Sequence, residues 1–214
     1  MIQRRERIGE FYILVAGILW GLFPVITILS YNTLSPLVVL GWSQILAAVL
    51  FGIVLTVRKT WSDIVNFRAL KDMLFATLFT GILFYLLFFF GLMYTTAGNA
   101  GIIALAEIFF SFCLFNLLQK ESFPLAHIWG SIAMLVGALI VLSPNMSSFR
   151  GGDILILLAT MVAPFGNFFQ RRARALVSTE SVLFVRSLVA GCVVLLVAYF
   201  IGAKPLNIPF SVSI

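Results

Sequence analysis

The chain has 214 residues, 62% of them hydrophobic and only 10% charged, with 22 Phe and a mean hydropathy of +1.12. Soluble domains carry about 25% charged residues, so this chain has too little polar surface to cover a soluble globule, and the composition specifies an integral membrane protein. Its net charge of +6 therefore bears on how the chain sits in a bilayer and does not point to nucleic acid.

A helix needs about 20 mostly apolar residues to cross a hydrocarbon core. Seven stretches reach or approach that length: 11–29, 37–57, 73–94, 99–118, 126–142, 154–170 and 182–202. All read as helices, because a segment in lipid must satisfy its own backbone hydrogen bonds. The ten-residue alternation of a membrane β-barrel is absent from the sequence. Short connections place the helices in one bundle, giving an all-α polytopic membrane protein. The first stretch follows a basic head, yet it is long enough to span and no small-x-small cleavage site follows it, so it reads as a retained helix and not a signal peptide.

In the first segment Gly17 and Gly21 make a G-x-x-x-G spacing beside Trp20 and Pro24. Small residues at this spacing allow close helix approach, Pro24 frees a carbonyl where the helix can bend, and Trp20 either stacks on a solute or packs. Tyr85, Tyr94 and Asn99 are polar candidates around the third-to-fourth turn, with interface anchoring the alternative. The fourth segment carries one carboxylate, Glu107, on a face shared with Ala100, Ile103, Ala104, Ser111 and Leu114. A charge at mid-bilayer costs roughly 2.5–3.5 kcal/mol on insertion scales, so Glu107 is the sharpest candidate for meeting a proton or a cationic solute group. A structural carboxylate bonded between helices is its alternative. In the fifth segment His127 reads as an interfacial residue, and Ala133 and Gly137 as a small-residue face. Pro164, Gly166 and Asn167 interrupt the sixth segment. Arg186 in the seventh either snorkels to the interface or pairs with Glu107. Cys113 and Cys192 lie in separate apolar segments and behave as small hydrophobes. No metal-ligand spacing, disulfide framework or cofactor motif is present in the sequence.

Eleven of the 14 Lys and Arg fall at the N-terminus or in the loops after segments two, four and six. Arg150 and Lys204 lie on the other side. This asymmetry predicts a cytoplasmic N-terminus in a multi-pass protein of the cytoplasmic or plasma membrane.

The chain also repeats itself. Residues 17–36, "GILWGLFPVITILSYNTLSP", and 160–179, "TMVAPFGNFFQRRARALVST", share a pattern: the second half of an apolar helix, a polar turn, and a Ser or Thr opening the next helix. The offset is 143 residues and encloses five helices, so the second unit enters the membrane from the opposite side. Inverted repeats of this kind build alternating access states around a midplane site, and paired helix breaks point to that site. The units divide as 1–143, with five helices, and 152–214, with two. Three further helices would complete the second unit, which predicts a fragment or truncated product.

The stretches "ILWGLFPV", "LSPLVVLGWSQILAAVLFGI", "LFYLLFFFGLMYTTAGNAGIIALAEIFFSFCLFNLLQKES", "IWGSIAMLVGALIVL" and "GDILILLATMVAPFGNFFQRRAR" resemble the EamA-like transporters of the drug/metabolite transporter superfamily. The resemblance implies ten helices in two inverted units around a cavity for a small solute such as an amino acid, metabolite or drug, commonly exported and often proton-coupled. It also supports Glu107 as a cavity residue. The sequence departs from the family pattern at Ser43 or Gln44, where many members carry Arg, and around Ala163 and Pro164, where a Trp is familiar. The candidate cavity residues are thus Glu107, Trp20, Pro24, Tyr85, Asn99, Ser111 and Asn167, with Glu107 and Arg186 a candidate ion pair.

Three other readings compete with a transporter. A seven-helix receptor or retinal protein fits poorly, since the N-terminus reads as cytoplasmic and the seventh segment lacks a Lys. An intramembrane enzyme needs a paired constellation such as H-E-x-x-H, which the sequence does not contain. The third is a non-transporting half-unit that needs a homodimeric or separate partner chain.

Overall fold

The computed structural model describes residues 2–119 and 150–203 and, between them, Trp129, Gly130, Ile132, Ala133, Val136, Gly137 and Ile140. Side chains are described for these residues except 2–8 and 116–119. The described residues are helical apart from turns and caps, with no strand among them. Helix α1 is Ile2–Ser30 and α2 is Pro36–Arg58. A 3-10 turn, Trp61–Val65, leads to α3, which runs continuously over Phe67–Leu92. Helix α4 has two parts, Ala97–Ala104 and Ala106–Gln119, on either side of Leu105. Helices α5, Gly151–Arg174, and α6, Thr179–Phe200, are the sixth and seventh apolar segments. Six spans among the described residues are long and apolar enough to cross a membrane. Most of the predicted fifth segment, with His127, Lys120 and Lys204, lies outside the described residues, although the seven residues described there are helical.

Local chemistry sets the helix boundaries. Ser35 caps α2 by accepting from the Val38 N–H, and Pro36 opens it with φ already near the helical value. Lys59 closes α2 in the left-handed region at φ 55°. Asn66 accepts from the Arg68 N–H at the start of α3, and Thr96 from the Asn99 N–H at the start of α4. At the start of α5, Asp153 accepts from the Arg150 N–H (2.9 Å) and from the Thr95 hydroxyl, so one buried carboxylate caps its own helix and ties it to the α3–α4 turn.

Water-driven burial does little to hold apolar helices together in lipid, so close backbone approach matters most. One of the two extensive helix contacts described joins α2 and α6, which run antiparallel. A Cβ on Gly41 would come within 2.5 Å of Leu195, one on Gly191 within 2.8 Å of Ile45, and one on Gly52 within 3.2 Å of Phe184. Helix α5 packs antiparallel along α3 in the same way. A Cβ on Gly166 would come within 2.3 Å of Thr80, and one on Gly152 within 2.4 Å of the Gly91 carbonyl oxygen. The predicted glycine face of α1 is different: a Cβ on Gly17 or Gly21 meets nothing within 4 Å. Its spacing therefore serves no close contact among the described residues, and the outer face of α1 is an exposed apolar surface running from Phe11 to Leu29. Gly137 likewise meets nothing within 4 Å.

Within α3, Thr77–Leu83 winds as a π-helical turn. The Thr77 and Thr80 hydroxyls donate back to the Met73 and Ala76 carbonyls (2.8 and 2.7 Å), which satisfies them inside the apolar bundle. Beside this turn, Phe75 and Phe79 stack on Phe169 at 4.8 and 6.0 Å.

Apart from Arg150, the described basic loop residues gather at one end of the bundle, where acidic partners join the two parts of the chain. Arg58 of α2 pairs with Glu180 of α6, and Asp72 of α3 forms an ion pair with Arg172 Nε of α5 at 3.3 Å. Asp63 in the 3-10 turn accepts from the Ser178 N–H (2.8 Å) at the start of α6 and from the Ser181 hydroxyl (3.3 Å). At the other end, beside the Thr95–Asp153 tie, the Tyr31 phenol donates to the Phe89 carbonyl at 2.8 Å. Burial raises the Tyr31 pKa, which keeps the phenol a donor.

Two outcomes follow from this packing. Gly152→Ala forces backbone against backbone and lowers stability by about 1–3 kcal/mol, read as a drop in melting temperature in detergent, whereas Gly17→Ala leaves the melting temperature unchanged. The Ser178 N–H, with the Ser178 and Ser181 hydroxyls, holds the Asp63 carboxyl below its ordinary value of 3.8. A lowered folded value stabilises the protein above the ordinary value, and that stabilisation is lost as pH falls through the folded one. Asp63→Asn therefore melts below wild type at neutral pH, and the gap closes in acid.

Candidate functional site

Five helices converge near their middles on a cavity of about 250 Å³. Its walls are Trp20 of α1, Thr80, Phe84 and Tyr85 of α3, Glu107 of α4, Ala163 and Asn167 of α5, and Arg186 of α6. Of the cavity candidates read from sequence, the structure brings Glu107, Trp20, Tyr85 and Asn167 together here.

The aromatic wall is a connected set. Trp20 stacks on Phe23 at 5.4 Å and on Phe84 at 6.5 Å, and Tyr85 meets the edge of Phe84 at 5.0 Å. Pro24, one turn beyond Trp20, has no N–H to give the Trp20 carbonyl, which leaves an acceptor next to the wall. Pro24 itself is buried and does not line the cavity. Asn99 and Ser111 do not line it either. Asn99 sits in the first turn of α4, where its N–H donates to Thr96, and Ser111 lies one turn along from Glu107.

The polar wall centres on Glu107 and Arg186. Asn167 Nδ2 donates to Glu107 Oε1 at 2.9 Å, so the carboxylate of α4 is held by α5, which runs continuously through Pro164. Arg186 turns to α5: its Nη1 donates to Gln170 at 3.0 Å, and its Nε is buried. No ion pair joins Glu107 to Arg186 among the described residues; the two charges share a cavity with separate neutral partners. Two ion pairs lie at the basic end of the bundle instead, Arg58–Glu180 and Asp72–Arg172.

Sequence reasoning passed over several of these residues. Gln170 closes an apolar run beside Arg171 and Arg172, where it reads as part of the polar turn, and Thr80 sits in an apolar run with no charge to mark it. The π turn left only a faint trace, the small and polar residues Thr77, Thr80 and Gly81 within an aromatic helix. The turn presses Thr80 against Gly166 and Gly81 against the Arg186 stem. Such turns recur at functional sites. Among the described residues no group of three or more His, Cys, Asp or Glu could hold a metal, and Cys113 and Cys192 are free thiols.

The model of the EamA-like transporter family matches residues 7–143, more than half of the chain. No curated protein and no solved structure matches it. The chain belongs to the EamA-like transporter family, a group of multi-pass membrane transporters.

The Asn167 bond sets a direct expectation. Asn167→Ala removes the donor from a partly buried carboxylate and costs about 1–3 kcal/mol, measured by equilibrium unfolding in mixed micelles. Unchanged stability would show that Glu107 does not depend on this bond.

Proposed function

We propose that this member of the EamA-like transporter family moves a small organic solute by alternating access around the cavity at Glu107, with Glu107 as the proton or cation site. One observation carries the reading: the single carboxylate in the middle of α4 faces a cavity built by five helices, and its hydrogen-bond partner comes from α5. A carboxylate retained at this depth marks a functional site by default, given what burying it costs. The other ionisable groups facing it are Arg186 and Tyr85.

The inverted repeat supports the same reading. Adding the offset of 143 turns Gly41 into Phe184 and Gly52 into Leu195. The contacts Gly41–Leu195 and Gly52–Phe184 therefore exchange with each other, as a two-fold axis between α2 and α6 requires. Trp20 and Ala163, which the same offset relates, stand in one cavity wall. The charged ends argue for orientation: the end carrying Arg58, Lys59, Arg68, Lys71, Arg171, Arg172 and Arg174 faces the cytoplasm.

Proteoliposomes carrying an imposed proton gradient test the role of Glu107, with uptake followed for a panel of labelled amines and amino acids. Glu107→Gln lowers proton-driven accumulation tenfold or more while downhill exchange of the same solute persists. Proton-dependent uptake equal to wild type would remove Glu107 from the coupling step.

A further inference from the structure

A second cavity lies at the basic end of the bundle, apart from the one at Glu107. It is a groove of about 620 Å³ where α5 ends and α6 begins, lined by Arg171, Arg174, Ala175, Val177, Ser178 and Thr179. Arg171 and Arg174 stand three residues apart in the last turn of α5 and share a face. The Arg171 guanidinium lies over the Phe115 ring at 5.8 Å, which packs it against α4. No acidic residue lines the groove, and the acids beside it have partners: Glu180 pairs with Arg58, and Asp63 accepts from the Ser178 N–H and the Ser181 hydroxyl. Residues 58–72 and 171–180 together carry seven Lys and Arg against three acids, so the local field is positive. Trp61 gives the depth. It meets Phe184 edge-on at 5.3 Å, and Phe184 stands five residues, about 7.5 Å, along α6 from Thr179. Tryptophan sits where hydrocarbon meets headgroup, so the groove lies in the headgroup layer. Phe67 and Leu176, exposed and apolar at the same end, match that level.

We propose that this groove holds the phosphate of an anionic phospholipid, with Arg171 and Arg174 as its cationic wall and the Thr179 hydroxyl as a further donor. Phosphate oxygens match the forked N–H groups of arginine, and basic pockets beside membrane spans are where anionic headgroups bind. Depth favours a lipid over a soluble phosphate. A lipid presents its phosphate at this level already, and its chains run down beside apolar residues that a free ion cannot use. A zwitterionic lipid would set its own cation beside the two arginines, so the groove selects headgroups of net negative charge. The inference rests on the orientation argued above, which puts the groove in the anionic cytoplasmic leaflet, and does not depend on transport.

The test is native mass spectrometry of the purified protein, released from neutral micelles doped with phosphatidylglycerol or with phosphatidylcholine of the same chains. Inorganic phosphate and glycerol 3-phosphate serve as soluble probes. Wild type binds phosphatidylglycerol about 25-fold more tightly than phosphatidylcholine. Arg171→Gln and Arg174→Gln each lower phosphatidylglycerol binding about fivefold, and together they bring it to the phosphatidylcholine level. Both side chains are exposed at a helix end, so the bundle survives their loss. Ala175→Trp is a second variant that keeps every charge: it fills the groove and lowers phosphatidylglycerol binding as the arginine pair does. Arg68→Gln with Lys71→Gln removes the same charge outside the groove and leaves the preference within about twofold. An equal loss in that control pair overturns the proposal, because it would mark diffuse surface charge. Equal binding of the two lipids by wild type overturns it, and so does full phosphatidylglycerol binding in Ala175→Trp. Displacement of the lipid by inorganic phosphate or glycerol 3-phosphate at matched concentration would make this a soluble-anion site and overturn the lipid assignment.

Discussion

Backbone approach at glycine is the constraint on which the rest of this bundle depends. Apolar side chains gain little by leaving lipid for each other, so helices that pack here do so where side chains are missing. Gly41, Gly52 and Gly191 seat α6 on α2, and Gly152 and Gly166 seat α5 on α3. Each contact joins a helix before residue 143 to a helix after it. If α5 stood away from α3, Asn167 would move away from Glu107, Ala163 would leave the wall, and Gln170 could not hold Arg186. The polar chemistry of the cavity thus depends on residues that carry no chemistry.

The cavity also shows how charge is tolerated at this depth. Glu107 and Arg186 are each bonded by an amide, from Asn167 and Gln170. An amide satisfies a charged group without cancelling it, whereas a direct salt bridge would leave both charges spent on each other. Both amides come from α5, three residues apart and therefore on one helix face. One helix thereby holds two opposite charges, from α4 and α6, at a single space.

Much of the fold was legible because bilayer thickness is a strict ruler. Six of the seven apolar stretches coincide with helices long enough to span, and the seventh falls mostly outside the described residues. Glu107, Trp20, Tyr85, Asn167 and Arg186 were legible as candidates because charge, amide or a large polar aromatic stands out against an apolar run. Partners were not legible. Arg186 read as snorkelling or paired with Glu107, and only tertiary packing brings Gln170 to it. Glycine was misleading for a related reason: Gly17 and Gly21 have the better spacing, yet Gly152 and Gly166 make the contacts. A helix periodicity says which residues share a face and is silent about which face meets a neighbour. Asn99 and Ser111 miss the cavity lining for the converse reason: Asn99 sits in the first turn of α4 and Ser111 one turn along from Glu107, and a helix face does not fix depth.

The two ends of the bundle differ in a way that bears on the proposed cycle. At the basic end, Arg58–Glu180, Asp72–Arg172 and Asp63 with Ser178 and Ser181 tie α2, the 3-10 turn and α3 to α5 and α6. At the opposite end the ties are Thr95 with buried Asp153, and Tyr31 with the Phe89 carbonyl. Exposed ion pairs contribute only about 0–1 kcal/mol each, and Arg58 and Arg172 are more than half exposed. Contacts of that size can be broken and remade by a solute whose binding differs by a few kcal/mol between two states. Asp72 and Asp153 are both buried, so parting the helices at either end would strand a carboxylate, and Asp153 also caps α5. The opposite end has to move with α5 and the α3–α4 turn as one body, carrying Asn167 and its hold on Glu107 along with it.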